Sequence, residues 1–258
     1  MRRFSHYIKI GLFLVLTVAA YAAVVASVLY HLDTVNFPVA ASLIGAGVGI
    51  VTGIVVLLKD MIMEAINRPR LVLRFLPYDK RDCHATAFRD RNTGTLLAKT
   101  HYFRLRIENI GWRTADDVEV TLEEVKRFVN RGFSVNTDFM PLRLLWSHWR
   151  ENRYEISIPP DAYRHCDFGF IVEPTATVGT LPPTENGELL FWFDVFTRPN
   201  TGRTSLLPGR YQITVSAFGK NVGRSSLRIE LEWKGLWHDD IDVMLRDSLL
   251  PRKGFEAA

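Results

Sequence analysis

The sequence predicts a two-helix membrane hairpin carrying an all-β domain, an antiparallel β-sandwich with a short C-terminal helix. Three observations carry this prediction. Two apolar runs, about 8–32 and 37–58, stand back to back around the polar break at 31–36. From Leu71 onward the apolar period shortens to two. Clusters of Asn, Gly, Pro and Asp then separate the alternating segments at short intervals.

The first run contains no charge except Lys9, and the second contains none. Twenty or more residues at about 1.5 Å each match a bilayer core of about 30 Å. Arg2, Arg3 and Lys9 flank the first run and Lys59, Arg68 and Arg70 the second, while the break has neither Lys nor Arg. Positive charge favours the inside, so both termini are expected in the cytoplasm and the hairpin in the inner membrane. Ala20-Tyr21-Ala22 imitates a signal-peptide cleavage site, but the second run would then stop transfer and leave the domain in the cytosol. Ala41, Gly45, Gly49 and Gly53 recur every four residues, a small-residue stripe for close helix packing. It serves either the hairpin itself or a homo-oligomer. The organisation expected is a hairpin with a juxtamembrane extension at 1–69, a sandwich at 70–237, and a short helix and tail at 238–258.

Within the domain, Phe103, Leu105 and Ile107 alternate with Arg104, Arg106 and Glu108, and Val118, Val120 and Leu122 with Glu119, Thr121 and Glu123. Phe168, Phe170 and Val172 share a side by the same rule, as do Tyr211, Ile213 and Val215. Leu227, Ile229, Leu231 and Trp233 complete the series. One dry and one wet face per strand favours antiparallel sheets. The segment 188–196 is nearly all apolar and predicts a strand buried on both faces. Turns are expected at 109–111, 130–132, 159–161, 186–187, 208–209 and 221–223. No long amphipathic helix interrupts them, which disfavours βαβ units and a parallel sheet and favours a sandwich of about seven to nine strands. Ile241, Met244, Leu245 and Leu249 share a helical face behind Asp239 and Asp240, whose charge suits a helix start.

The stretch Arg104-Leu105-Arg106-Ile107-Glu108-Asn109-Ile110-Gly111, followed by Thr114-Ala115-Asp116-Asp117-Val118-Glu119-Val120, resembles bacterial Ig-like sandwiches, in which a strand ends in Asn-x-Gly. Leu207-Pro208-Gly209-Arg210-Tyr211-Gln212-Ile213 resembles their Pro-Gly-x-Tyr strand opening. Trp233-Lys234-Gly235-Leu236-Trp237-His238-Asp239-Asp240, with Met244, is similar to a prokaryotic membrane-anchored domain of uncharacterised function. The resemblance spans roughly residues 71–250. It implies the Ig-like fold and no catalytic residues.

The formal charge of +4 suggests nucleic acid only until it is located. Residues 71–258 hold 26 of the 32 basic and 25 of the 28 acidic side chains, so the domain is near neutral and no nucleic acid is expected. Cys83-His84 and His165-Cys166 lack zinc-site spacing, and adjacent strand residues point to opposite faces. The acids at 239–242 suit a helix start better than a cation. No phosphate loop, dinucleotide fingerprint or nucleophile elbow occurs. The expectation is therefore a non-enzyme without metal or cofactor. Arg143, Trp146, His148, Trp149, Arg150 and Arg153 form an aromatic and cationic cluster suited to stacking on a ligand. The function expected is a membrane-tethered binding or sensing module that recruits a cytosolic protein or small molecule. Two alternatives stand beside it. One is an oligomerising, membrane-disrupting effector of the antiphage type, and the other a structural subunit of a membrane complex.

Overall fold

The computed structural model describes residues 67–89, 93–147, 154–174, 183–195 and 202–253, with ten positions between Ala22 and Met63. The chain divides into two compact units, Met1–Ala65 and Ile66–Ala258. In the first, the described positions, Gly45, Gly49 and Gly53 among them, are helical.

The expected membrane hairpin is corrected. Among the described residues no helix is long and apolar enough to cross a membrane. An apolar composition is necessary for a span, but a span also needs about 20 consecutive residues in one helix. The two-transmembrane-helix fold and the inner-membrane placement with cytoplasmic termini fall with that finding. Ala41 and most of 8–32 and 37–58 lie outside the described residues. A Cβ added at Gly45, Gly49 or Gly53 would meet nothing within 4 Å, so no close approach is made at them among the described residues.

The second unit is built from two antiparallel sheets. The first runs β1 (Leu71–Arg74), β3 (Leu96–Asn109), β9 (Tyr163–Val172), β12 (Phe191–Phe193) and β13 (Ser205–Leu206). β2 (Cys83–Arg89) follows β1 along the same edge of β3, and β7 (Leu145–Trp146) joins β12 along the far edge of β9. The second sheet runs β16 (Leu249–Lys253), β15 (Val222–Trp233), β14 (Gly209–Gly219), β4 (Ala115–Val129) and β5 (Gly132–Val135). β6 (Leu142–Arg143) and β8 (Ile156–Ile158) pair with the same outer edge of β4 as β5. A hairpin of β10 (Thr184–Glu185) and β11 (Glu188–Leu189) stands apart. The five alternating segments expected from sequence are β3, β4, β9, β14 and β15. The sheets carry more strands than the seven to nine expected because their edges are broken into short pieces, most of them two to four residues long.

One core joins the inward residues of both sheets, with Leu105, Ile107, Leu122, Phe168, Ile213, Ile229 and Trp233 all 1% exposed or less. A second cluster of Ala98, Phe170, Val172, Leu190 and Trp192 lies on the opposite face of the first sheet. The run Leu189–Phe193 therefore alternates between two cores, which is why its sequence is continuously apolar. Phe168, Phe170 and Val172 do not share a side. Opposite β3 the register slips, so that Phe103 pairs with Gly169 and Arg104 with Asp167. Phe168 is the extra residue of a β-bulge and exchanges the two faces of β9. Gly169 is required there, since a Cβ would stand 2.4 Å from the Trp192 carbonyl oxygen.

The terminal helix is shorter than expected. Asp240 caps Ile241–Val243 by accepting from the Asp242 and Val243 amides, and one π turn, Met244–Ser248, follows. Met244, Leu245 and Leu249 are buried as their spacing predicts. The expected loose tail instead begins as β16, paired with β15.

Candidate functional site

Residues expected to bind a ligand are placed as follows. Trp146 is 3% exposed and its indole Nε1 donates to the Tyr154 carbonyl oxygen at 2.9 Å, so its ring is largely packed, although the residue helps line an adjoining recess. Arg143 is exposed but pairs with Glu119 at 3.2 Å and lies 5.7 Å from the centre of the Tyr154 ring. His148, Trp149, Arg150 and Arg153 lie outside the described residues. The two described members sit on different sheets, β6 and β7, and each already has a partner within the fold.

Beside Trp146 the outer face of the first sheet carries a buried charge network. Arg106 and His165 are register partners, as are Arg104 and Asp167. The turn at 79–82 folds over them, and Asp82 is fully buried. Its Oδ1 accepts from Arg106 at 2.7 Å and is 2.8 Å from His165 Nε2. Asp79 accepts from Arg106 and Arg81, and hydrogen bonds from Arg81 in the first place hold its carboxyl far below the usual carboxylate range. Asp167 accepts from Arg104 at 2.9 Å and from the Ser147 hydroxyl at 2.5 Å. A buried charge persists only when paired, and these groups are paired with one another, though Asp82 Oδ2 and Arg106 Nε are buried without a partner among the described residues. The network clamps the turn before β2 onto the sheet. It also engages the groups that could attack a substrate. Ser147 gives its proton to Asp167, not to His165, and burial pushes the thiols of Cys83 and Cys166 up, away from thiolate. An open recess of about 460 Å³ adjoins it, lined by Tyr163, Arg164 and Asp161 among others.

The acids near the C-terminal helix are engaged likewise. Asp239 accepts from Lys99 at 3.0 Å and from the Trp237 indole at 3.2 Å, while Asp240 is the helix cap. His101 is buried, stacks on Trp237 with ring centres 4.6 Å apart, and places Nε2 2.7 Å from the His238 carbonyl oxygen. Burial lowers its pKa.

The arrangement differs where the two sheets end. β13 closes the first sheet and β5 the second, and residues of both line a cleft of about 240 Å³. The β4–β5 hairpin turns through Asn130 and Arg131, with φ of 50° and 72°, a two-residue type I′ geometry that sets Ser134 and Val135 on the cleft. Tyr211 anchors the floor: 2% exposed, it donates its hydroxyl to the Leu207 carbonyl oxygen at 2.8 Å, as a tyrosine corner does. The Arg203 amide reaches the Asp138 carbonyl oxygen at 2.7 Å and ties the segment leading into β13 to the segment leaving β5.

The polar groups of this cleft are largely unengaged. Ser205 is only 6% exposed, and among the described residues its hydroxyl has no protein partner. The Ser134 hydroxyl and the Asn136 amide nitrogen also have none, while Asn136 Oδ1 accepts from the Asp138 amide. The Arg127 side chain makes one hydrogen bond among the described residues, to the Pro208 carbonyl oxygen at 3.2 Å. Arg203 is neutralised by a two-pronged pair with Glu185 at 2.8 and 3.1 Å. Sequence reading passed over Arg127, Ser134, Asn136, Arg203 and Ser205. The turn at 130–132 was the one signal near them, because the cleft forms only when segments some 70 residues apart meet at the sheet ends.

Comparison with protein-family models, with curated proteins and with solved structures finds no match to this chain.

Proposed function

We propose that this β-sandwich is a non-enzymatic binding module whose ligand site is the cleft between β5 and β13. One observation supports this reading above the others: the almost fully buried Ser205 lines the cleft with a hydroxyl unpartnered among the described residues. Its Oγ is not among the fully buried atoms left without a partner, so the hydroxyl is reachable from the cleft and free to bond a ligand there. The network around Asp82 supports the non-enzymatic part, since Asp82 Oδ1 holds Arg106 and His165, Asp167 holds Ser147, and the bonds fix a turn. The Ig-like relationship belongs to the same proposal, and the tyrosine corner at Tyr211 supports it.

An amide-resolved NMR screen of the full chain tests the reading. The library is chemically mixed, with small acids, amines and neutral polar fragments. Hits are expected to shift the amides of Ser134, Asn136, Arg203 and Ser205 together. Hits gathered instead at Tyr163–His165 would move the site to the recess beside the charge network.

A further inference from the structure

Resting on that reading, we propose that the cleft takes a carboxylate carried on a short apolar body. Its unengaged polar groups can all donate: the Ser134 and Ser205 hydroxyls, and the donor-only Asn136 amide nitrogen and remaining N–H groups of Arg127. Arg127 is also the one guanidinium lining the cleft whose polar partner is a carbonyl and no carboxylate. A planar fork with further donors beside it is the arrangement that carboxylates select. The single acid on the cleft, Asp138, is 65% exposed and 4.0 Å from Arg203. A cationic ligand would meet the Arg127 guanidinium, which no carboxylate balances. A neutral one would leave Arg127 without a counter-charge.

The apolar part follows from the remaining lining. Val129 and Val135 are 47% and 52% exposed, and Leu207 and Phe139 continue their surface. The volume of about 240 Å³ lies below the roughly 300–1,000 Å³ of sites for drug-sized molecules, so the ligand is small or is the end of something larger. A free aliphatic acid and the C-terminal residue of a peptide share this chemistry.

The test is a titration of the full chain with N-acetyl-L-leucine, N-acetyl-L-leucinamide and hexanoate, read from the amide shifts of Ser134, Asn136 and Ser205. The acid is expected to bind at least tenfold more tightly than its amide. Arg127→Gln should weaken the acid at least tenfold and Arg127→Lys recover part of that loss. Arg127 is exposed, so both variants should keep the wild-type melting temperature. Hexanoate binding as well as the acyl amino acid supports the proposal with free acids as the source. Hexanoate binding much more weakly supports it with peptide C-termini as the source. Equal binding of acid and amide in the cleft would overturn the carboxylate class while leaving the cleft as a site. No shift in the cleft with any of the three would overturn both.

Discussion

Asn109 is fully buried at the end of β3, and its side-chain amide makes four hydrogen bonds, the full number available to it. Nδ2 donates to the Arg113 and Ile158 carbonyl oxygens, and Oδ1 accepts from the Gly111 and Arg70 amides. The side chain thereby joins the entry to β1, the turn after β3 and the end of β8. Gly111 completes the junction, because a Cβ there would stand 2.5 Å from the backbone of Arg68 and Arg70. Asn109→Asp keeps the shape but replaces two donors with an oxygen facing two carbonyls. It should destabilise the sandwich by about 3 kcal/mol or more in chemical denaturation. His101 makes a prediction of opposite character. Its pKa in the fold is lowered by burial, so below the ordinary value of about 6.5 the unfolded chain binds a proton that the folded chain resists. Stability should therefore fall as pH drops from 7 toward 5, and denaturation midpoints of His101→Phe should fall less. Asn-x-Gly was legible in the sequence as a strand end. That its amide bonds to three separated segments was not, since those partners are backbone groups carrying no sequence signature.

At the scale of elements, the alternating runs and the turns were the legible part, and departures from strict alternation were not. The five long strands stand where the period of two placed them, and the Asn130-Arg131 and Asn186-Gly187 turns are two-residue hairpin loops. The bulge at Phe168 escaped because a period reports faces only while the register holds, and the slip is imposed by the partner strand. A second slip at Glu123 puts Val125 inward after Leu122, for the same reason. Arg131 holds a left-handed conformation that favours glycine in type I′ turns. Arg131→Gly should raise stability by about 0.5–1 kcal/mol by thermal denaturation, with the cleft unchanged, since the hairpin fixes Ser134 and Val135 in either variant. An unchanged or lowered melting temperature would mean that the turn bears no strain.

For the whole molecule, charge and composition read correctly that the excess of basic residues lies before Leu71, whereas the span read from hydropathy is not found, since among the described residues no helix is long and apolar enough to cross a membrane. The expected site shows the same contrast. An aromatic and cationic cluster in sequence marked Trp146 and Arg143, which the fold holds with Tyr154 and Glu119, whereas the cleft between β5 and β13 arises from where two sheets stop. Terminal strands present unpaired backbone groups as well as side chains, and a ligand seated between them should protect both. Backbone hydrogen exchange on the full chain, alone and with saturating N-acetyl-L-leucine, tests this claim most directly. Slowed exchange is expected at Ser134–Asn136 and Arg203–Ser205, with the central strands β3, β9 and β14 unchanged. Protection confined to Tyr163–His165, or none at the sheet ends, would contradict it.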